Sequence, residues 1–303
     1  MSILVVGSVA FDSVETPFGK VDEVLGGSAT YFSSSASFFS DVNLVAVVGE
    51  DFPDAHLDFL RSRNVDLAGL QRASGETFRW RGKYGYDLNE AQTLDTRLNV
   101  FQDFRPDLPE NYRDTEFVFL ANIDPELQLE VLRQVRKPRL VACDTMNFWI
   151  SGKRAALLET LKHVDILVIN EAEARQLAEE ANLSRAARRI LDLGPETVVI
   201  KRGEYGVIMF NAHSIFAAPA YPLEEVFDPT GAGDTFAGGF MGYLAANRNL
   251  AEQSLRRAIV FGSVMASFTV EDFSLNRLRE LDYAAIEDRY HRVRLLTEFD
   301  GPA

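Results

Sequence analysis

The stretch DPTGAGDTFAGGF, residues 228–240, contains two aspartates and four glycines within thirteen residues. Its first four residues, DPTG, are typical of a turn, and beyond Gly233 the apolar residues recur at helical spacing. The sequence therefore predicts a loop that leads into a helix. Because the first amides of a helix have no partners within the helix and carry partial positive charge, the backbone of Gly231, Ala232 and Gly233 is suited to bind an anion.

The aspartate that follows these small residues, Asp234, has two interpretations. It is either an acid of the first helical turn, which interacts favourably with the helix dipole, or a carboxylate that acts on whatever the loop binds. The residue types alone leave both interpretations open.

The composition limits the classes of protein to consider. With 303 residues, 47% hydrophobic and 25% charged, the chain is typical of a globular protein with one large core. No apolar run approaches 18 residues, and the first residues, MSILVVGSVAFDS, lack the pattern of a signal peptide, so we expect a cytoplasmic protein with no membrane partner. The net charge of −14 argues against nucleic acid as a partner.

Patterns of metal-binding and disulfide-bonded residues are not evident. The four histidines have no paired ligand spacing, which argues against a zinc site, and a single cysteine excludes a disulfide within the chain. That cysteine, Cys143, lies in the apolar run RLVACD, where we expect an inert, buried thiol.

Short apolar runs alternate with helix-like segments, which is typical of a mostly parallel sheet covered by helices on both faces. The runs span residues 3–9, 43–49, 116–122, 139–144, 165–170 and 197–203. Two later runs, 207–210 and 214–218, are expected to form a hairpin at an edge. In such sheets ligands bind at the carboxyl ends of the strands. Those ends carry Asp144, Asn170, Glu171, Glu173 and Lys201.

One segment, TFRWRGKYGY at 77–86, departs from this pattern because it alternates strictly. A strand here would place Phe78, Trp80, Tyr84 and Tyr86 on one face, and Arg79, Arg81 and Lys83 on the other. Together with residues 14–25 we expect it to form a small antiparallel sheet. The aromatic face then covers either a partner subunit or a ligand. We favour the subunit contact, because the basic face is better suited to meet a polar substrate.

Two common nucleotide-binding motifs are absent. The sequence has no GxxxxGK[ST] motif, and neither Gly7 nor Gly231 begins a GxGxxG, which argues against a P-loop and against a dehydrogenase. An anion-binding helix start followed at once by an acid suits the transfer of a phosphoryl group to a hydroxyl. The amides would stabilise charge on the phosphoryl group, and the carboxylate would accept the hydroxyl proton.

Four motifs, in one order, make the chain resemble the PfkB (ribokinase-like) family of carbohydrate and nucleoside kinases. The stretch 228–240 is similar to the C-terminal signature of that family, LGGSATYFS at 25–33 to its glycine-pair motif, NEAE at 170–173 to its Asn-x-x-Glu element, and GSVAFD at 7–12 to its substrate-binding segment. The resemblance implies one kinase domain over residues 1–303. It also implies a three-layer α/β/α architecture with a mostly parallel central sheet, and a small β-sheet lid formed from about 13–24 and 75–100.

The resemblance further implies roles for residues at matching positions. Asp234 would be the catalytic base, and the anion hole would consist of Gly231, Ala232 and Gly233. Contacts to the substrate are expected from Asp12, Gly26, Gly27 and Asn147. The residues expected near ATP and Mg²⁺ are Asn170, Lys201, Gly203, Gly206 and, through water, Glu173. Asp228 stands where some members hold a monovalent cation such as K⁺.

Simpler interpretations remain for three of these residues. Asn170 and Glu173 are also suited to cap the helix that follows them, and Lys201 is also suited to be a solvated charge at the end of a strand.

The acceptor implied by the resemblance is a small, sugar-like molecule, with a nucleoside as the alternative. A catalytically silent sugar or nucleotide sensor is a weaker interpretation, because the base is present. Ala10, Ser28 and Tyr31 stand where ribokinases carry asparagine, lysine and asparagine, which argues against ribose. Aromatic side chains such as Phe11 and Trp80 would suit the apolar walls of a nucleoside site. A homodimer formed through the lid is also expected.

Overall fold

The computed structural model of the protein describes residues 2–298. Its strands are β1 Ser2–Val6, β2 Ala10–Thr16, β3 Gly19–Gly26, β4 Asp41–Val48, β5 Val65–Arg72, β6 Phe78–Tyr84, β7 Ala91–Arg97, β8 Phe117–Leu120, β9 Leu140–Asp144, β10 Ile166–Asn170, β11 Thr197–Lys201, β12 Val207–Asn211 and β13 Ile215–Ala218.

The helices follow the alternation expected from the sequence. They are α1 Ser28–Ala36, α2 Asp54–Ser62, α3 Pro125–Gln134, α4 Asn147–Gly152, α5 Arg154–Leu161, α6 Glu171–Ala178, α7 Leu183–Leu191, α8 Ala232–Asn247, α9 Glu252–Thr269, α10 Asn276–Glu280 and α11 Tyr283–Leu296. Short 3-10 helices span Asn99–Asp103, Glu110–Tyr112 and Gly203–Tyr205.

The main sheet has the order β13-β12-β11-β10-β9-β8-β1-β4-β5. Its strands pair in parallel from β11 to β5, and β12 and β13 add an antiparallel hairpin at one edge, as predicted. The central strands are continuous apolar runs because both of their faces are buried. The carboxyl ends of β9, β10 and β11 are therefore neighbours.

Helices cover both faces of this sheet, as alternate residues of β1 show. Ile3 and Val5 belong to an apolar cluster with residues of α1, α8 and α9, whereas Leu4 and Val6 belong to a second cluster with residues of α3, α5, α6 and α7. The predicted three-layer α/β/α architecture is thus confirmed.

A small sheet with the order β3-β2-β6-β7 stands beside the main sheet. It is built from residues 10–26 and 78–97, within and around the two segments expected to form it. The prediction of a purely antiparallel sheet is wrong, because β2 pairs with β6 in parallel. β4, α2 and β5 of the main domain lie between these two strands in the chain, and such a long crossover permits parallel pairing.

Two other features differ from the sequence-based expectations. Strand β5 was not predicted, because only Val65 and Gly69 of its eight residues are buried and its apolar pattern is weak. Strand β6 ends at Tyr84, so Tyr86 lies outside the strand, with 90% of its surface exposed, and does not share the aromatic face. Within residues 2–298, none of the helices combines the length and the apolar character needed to cross a membrane.

Candidate active site

The predicted loop and helix start lie at the N-terminus of α8. Gly231 has a left-handed backbone conformation, with φ 74° and ψ 0°, and a Cβ atom there would lie 2.4 Å from the ring of Tyr31. Both observations explain why the position requires glycine. The Ala232 amide donates to the Pro229 carbonyl at 3.2 Å, whereas the amides of Gly231 and Gly233 have no acceptor among residues 2–298. The free donors of the predicted anion hole are therefore the two glycine amides.

Asp234 lies half-buried in the first turn of α8. Burial and the nearby carboxylate of Asp144 raise its pKa from 3.8 to about 7, against the opposing effect of Lys201. A carboxylate with a pKa near neutrality, beside a helix start with free amides, has the properties of a general base.

The side chain of Lys201 reaches the same place from the end of β11. Its Nζ atom lies 3.1 Å from Oδ2 of Asp144, and a Cβ atom at Gly233 would lie 2.8 Å from Nζ. Burial opposes the charged form of Lys201, but the carboxylates of Asp144, Glu173 and Asp234 outweigh it and raise the pKa of the lysine. Lys201 is therefore a largely buried cation that is held beside the glycine amides by Asp144, and not a fully solvated charge.

Asn170 and Glu173 form a capping box at the start of α6. The Asn170 side chain accepts from the Glu173 amide at 2.8 Å, and the Glu173 carboxylate accepts from the Asn170 amide at 3.1 Å. The capping interpretation is confirmed. Burial and the nearby Asp144 carboxylate raise the pKa of Glu173.

Glu173 also suits an outer contact to magnesium. Only one of its carboxylate oxygens has a donor among residues 2–298, and no group of three acidic, histidine or cysteine side chains there could enclose a metal ion. Mg²⁺ is commonly held by one or two carboxylates together with water and substrate phosphates, so this single acid fits the chemistry.

Asp12, at the other end of the site, is buried in β2. Burial, and to a smaller extent the carboxylates of Asp228 and Asp234, raise its pKa to about 7 against the opposing effect of the Gly27 amide, 3.4 Å from Oδ2. A Cβ atom at Gly26 would lie 1.9 Å from Oδ2 of Asp12, so the glycine pair makes room for this carboxylate. The segments 7–12 and 25–33, two of the four family motifs, thus meet around the buried carboxylate of Asp12.

Asp228 is buried, and both of its carboxylate oxygens accept backbone amides. Oδ1 accepts from Thr230 at 2.9 Å and Oδ2 accepts from Ser274 at 3.2 Å. These bonds tie the glycine-rich loop to the turn that follows α9. Binding of a monovalent cation at Asp228 stays a prediction.

The loop after β11 contains the two other glycines assigned to nucleotide binding. Gly203 has φ +54° and Gly206 has φ +86°, and a Cβ atom at Gly206 would lie 2.1 Å from the carbonyl oxygen of Ala218. Gly206 therefore shapes the turn into β12, as expected. Arg202 lies between Lys201 and Gly203 in the sequence, and its Nε donates to Oε2 of Glu171 at 2.6 Å.

The two faces of β6 have environments different from those expected. Tyr84, on the aromatic face, is buried, and its hydroxyl lies 3.3 Å from Oγ1 of Thr230 in the glycine-rich loop. On the basic face, Arg79 pairs with Glu23 and with Asp51, each at 2.9 Å. Tyr84 therefore turns the aromatic face, and not the basic face, towards the glycine-rich loop, so the preference for the basic face as the substrate side is wrong.

Comparison with known proteins decides the family. The model of the pfkB family of carbohydrate kinases matches residues 2–280. The chain belongs to the pfkB family. A cytidine kinase of Thermococcus kodakarensis is 32% identical over 257 residues, which cover 83% of this chain and 91% of that protein. A nucleoside kinase of Methanocaldococcus jannaschii is 26% identical over 231 residues, covering 75% and 72% of the two chains.

Solved structures agree with this pfkB-family fold. The crystal structure of the M. jannaschii nucleoside kinase has a TM-score of 0.76 at 20% identity, covering 96% of this chain and 98% of that one. A ribokinase from Thermotoga maritima has a TM-score of 0.75 at 20% identity, covering 96% and 99%. As a pfkB-family kinase, the chain is a phosphotransferase that acts on a sugar or nucleoside hydroxyl, and the family implies the use of ATP.

One residue at this pfkB-family site was not assigned a role from the sequence. Asp144, at the end of β9, is buried and pairs with Lys201, whereas the role at this strand end was given to Asn147. Asn147 is exposed at the start of α4, beside Phe148 and Gln176. Its contact with the acceptor stays a prediction. Asp144 could have been recognised as a site residue from its position as the last residue of a buried strand, at the same edge of the sheet as the ends of β10 and β11.

Proposed function

We propose that the chain is an ATP-dependent nucleoside kinase, in which Asp234 removes the proton from the acceptor hydroxyl. The observation that carries the proposal is the placement of Asp234, with a pKa of about 7, behind the free amides of Gly231 and Gly233 and within the electrostatic field of Lys201. Such a site combines a base with donors for the transferred phosphoryl group.

The acceptor class rests on the relatives and on the walls of the site. The cytidine kinase is 32% identical over 83% of this chain, whereas a ribokinase of Lactococcus lactis is 29% identical over 85% of it, so the relatives favour a nucleoside by a small margin in identity. Trp80 supplies aromatic surface beside Asp12, its partner in the β2–β6 pair, and the buried rings of Tyr31 and Tyr84 lie near the same carboxylate. A small sugar is the alternative acceptor.

Each part of the site has a role in this reaction. Asp12 and the backbone of Gly26 and Gly27 would bind hydroxyls of the acceptor and direct one of them towards Asp234. Asp234 would take the proton of that hydroxyl as it attacks. The glycine amides and Lys201 would stabilise negative charge on the phosphoryl group during transfer.

The nucleotide would bind at the ends of β10 and β11, near Asn170, Lys201, Gly203 and Gly206. Glu173 would contact the magnesium ion through water, and the ion, when bound, neutralises part of the charge on the ATP phosphates. A potassium ion held at Asp228 would stabilise the turn that positions the glycine-rich loop.

The small sheet would act as a lid over a single kinase domain, and two copies of the chain would pair through it. Every residue of its edge strand β7 is exposed, which leaves the edge free to meet a partner. Light scattering should therefore give the mass of a dimer, and a monomer at micromolar concentration would contradict pairing.

A product-detected screen tests the proposed function. The protein is incubated with ATP, Mg²⁺ and single nucleosides, sugars or polyols, and phosphorylated products are identified by mass spectrometry. We expect a nucleoside monophosphate. Phosphorylation of sugars alone would overturn the acceptor class, and nucleotide binding with no phosphorylated product would favour a silent sensor.

A further inference from the structure

A cavity of about 510 Å³ lies where α8, α9 and α11 meet. The side chains that line it are Tyr243, Arg257, Phe261, Tyr290 and Arg294. It is separate from the candidate active site, because Asp234 is in the first turn of α8 whereas Tyr243 is near the other end of that helix. Small-molecule sites in proteins typically occupy about 300–1,000 Å³. The cavity is therefore large enough for a ligand of its own.

Three stacked aromatic rings form one wall of the cavity. The centre of the Phe261 ring lies 4.7 Å from that of Tyr243 and 4.3 Å from that of Tyr290, and the rings of each pair are inclined by 22°. Phe261 is buried, whereas the two tyrosines are only partly buried. Aromatic side chains stack on planar rings, and every nucleobase offers such a ring. The wall is therefore suited to bind a planar aromatic group.

The two arginines of the cavity have no carboxylate partner. Within residues 2–298, neither Arg257 nor Arg294 forms an ion pair, and none of the residues that line the cavity is acidic. The other arginines of α9 and α11 are each paired with a carboxylate at 2.7–2.9 Å; these are Arg256, Arg289 and Arg292. Because the chain has a net charge of −14, two unpaired guanidinium groups at one cavity form a local positive site. Guanidinium groups bind phosphate oxygens through paired hydrogen bonds.

The hydroxyl of Tyr290 lies in the electrostatic field of both arginines. Burial and the nearby Tyr243 side chain raise the pKa of Tyr290, and the charges of Arg257 and Arg294 oppose that rise. In the part of the chain that the structure describes, neither tyrosine hydroxyl has a hydrogen-bond partner. Two guanidinium groups and two free hydroxyls therefore line the same space as the aromatic wall.

We propose that this cavity is a second binding site of the protein, for a nucleoside phosphate. The phosphate accepts hydrogen bonds from Arg257 and Arg294, and the base stacks on the tyrosine rings. A sugar phosphate has no planar ring for the aromatic wall, and an unphosphorylated nucleoside has no charge for the arginines. The site goes beyond the proposed function, because the residues that form it take no part in phosphoryl transfer.

Equilibrium dialysis with radiolabelled cytidine monophosphate tests the proposal by counting the molecules bound per chain. We expect Arg257→Gln/Arg294→Gln to bind one molecule fewer than the wild type, because the loss of two charge-assisted contacts weakens the site by roughly 100-fold. The matched control is Arg256→Gln/Arg292→Gln. It makes the same change of charge on the same two helices, but at arginines that are paired with carboxylates, and it should bind as many molecules as the wild type. Thermal unfolding checks that both variants are folded.

Competition with inorganic phosphate tests the aromatic wall. At the arginine-dependent site, cytidine monophosphate should bind at least about ten-fold more tightly than inorganic phosphate, which is the effect of stacking one base. Tyr290→Leu keeps both arginines. It should reduce this preference and leave the affinity for inorganic phosphate unchanged.

Three results would overturn the proposal. The first is an equal number of molecules bound by the wild type and by Arg257→Gln/Arg294→Gln. The second is an arginine-dependent site that binds inorganic phosphate as tightly as cytidine monophosphate. The third is a double variant that binds as the wild type but self-associates more weakly in light scattering, which would assign this surface to a second copy of the chain.

The proposed function is decided separately, by whether the wild type phosphorylates a nucleoside. A wild type that phosphorylates only sugars would contradict that function, but the difference of one bound molecule between the wild type and the double variant would still support the second site.

Discussion

Replacement of Asp234 by asparagine tests the catalytic role of the carboxylate while nearly keeping the shape of the side chain. The amide has nearly the same shape as the carboxylate but cannot accept the hydroxyl proton. Because a positioned general base contributes roughly 10²–10⁴-fold to the rate, we expect kcat to fall by a factor in that range. Affinity for an ATP analogue should be preserved, since the glycine amides and Lys201 remain.

The same substitution should not destabilise the protein at alkaline pH. The pKa of Asp234 is raised from 3.8 to about 7, so ionisation of this side chain costs the folded state up to about 4 kcal/mol relative to the unfolded chain. That cost develops between about pH 4 and pH 7 and is complete above pH 7. A neutral asparagine avoids it but loses the attraction of Lys201. We therefore expect the Tm of Asp234→Asn at pH 8 to equal or exceed that of the wild type, and the gain to shrink as the pH falls.

Steady-state kinetics and thermal unfolding of the same preparations measure both effects. Asp192→Asn is the matched control, because Asp192 is exposed at the end of α7 and should change neither kcat nor Tm. A kcat within a few-fold of the wild type would refute the assignment of the base. A large loss of Tm at pH 8 would show that the ionised carboxylate stabilises the fold, contrary to its raised pKa.

Three further substitutions test neighbouring parts of the site. Glu173→Gln should raise the Mg²⁺ concentration needed for half-maximal rate, and full activity in excess EDTA would contradict a magnesium-dependent mechanism. Asp144→Asn removes a carboxylate that raises the pKa of Asp234, so the acidic limb of the pH profile of kcat should move to lower pH; an unmoved limb would contradict that coupling. Trp80→Ala should raise KM for the acceptor and the ratio of ATP hydrolysis to transfer if the aromatic face covers the acceptor. If that face is a subunit contact, light scattering should instead show weaker self-association with unchanged kinetics.

The main sheet was largely predictable because most of its strands have a recognisable local sequence pattern. A buried parallel strand must be apolar on both faces, so β8 to β11 appear as continuous apolar runs. Strand β5 has no such signal, since most of it is partly or fully exposed at the edge of the sheet. The parallel pairing of β2 with β6 was also hidden, because it depends on main-domain elements that separate the two strands in the chain.

The site was predictable where a motif is local and hidden where it depends on distant contacts. The turn at Gly231 and the capping box at Asn170 follow from short sequence patterns, and the structure contains both. The pairing of Asp144 with Lys201 joins residues 57 positions apart, and the contact of Tyr84 with Thr230 joins the small sheet to the glycine-rich loop. No spacing rule connects such pairs, so only the folded chain brings them together.

Transfer of a phosphoryl group from ATP to a nucleoside can be measured in one competition reaction. The protein is given ATP, Mg²⁺ and equimolar cytidine, ribose and fructose, and the phosphorylated products are quantified by mass spectrometry. We expect the phosphate on the nucleoside, and a loss of this product in Asp234→Asn in proportion to its kcat. Phosphate found mainly on ribose or fructose, or a nucleoside product undiminished in Asp234→Asn, would contradict this expectation.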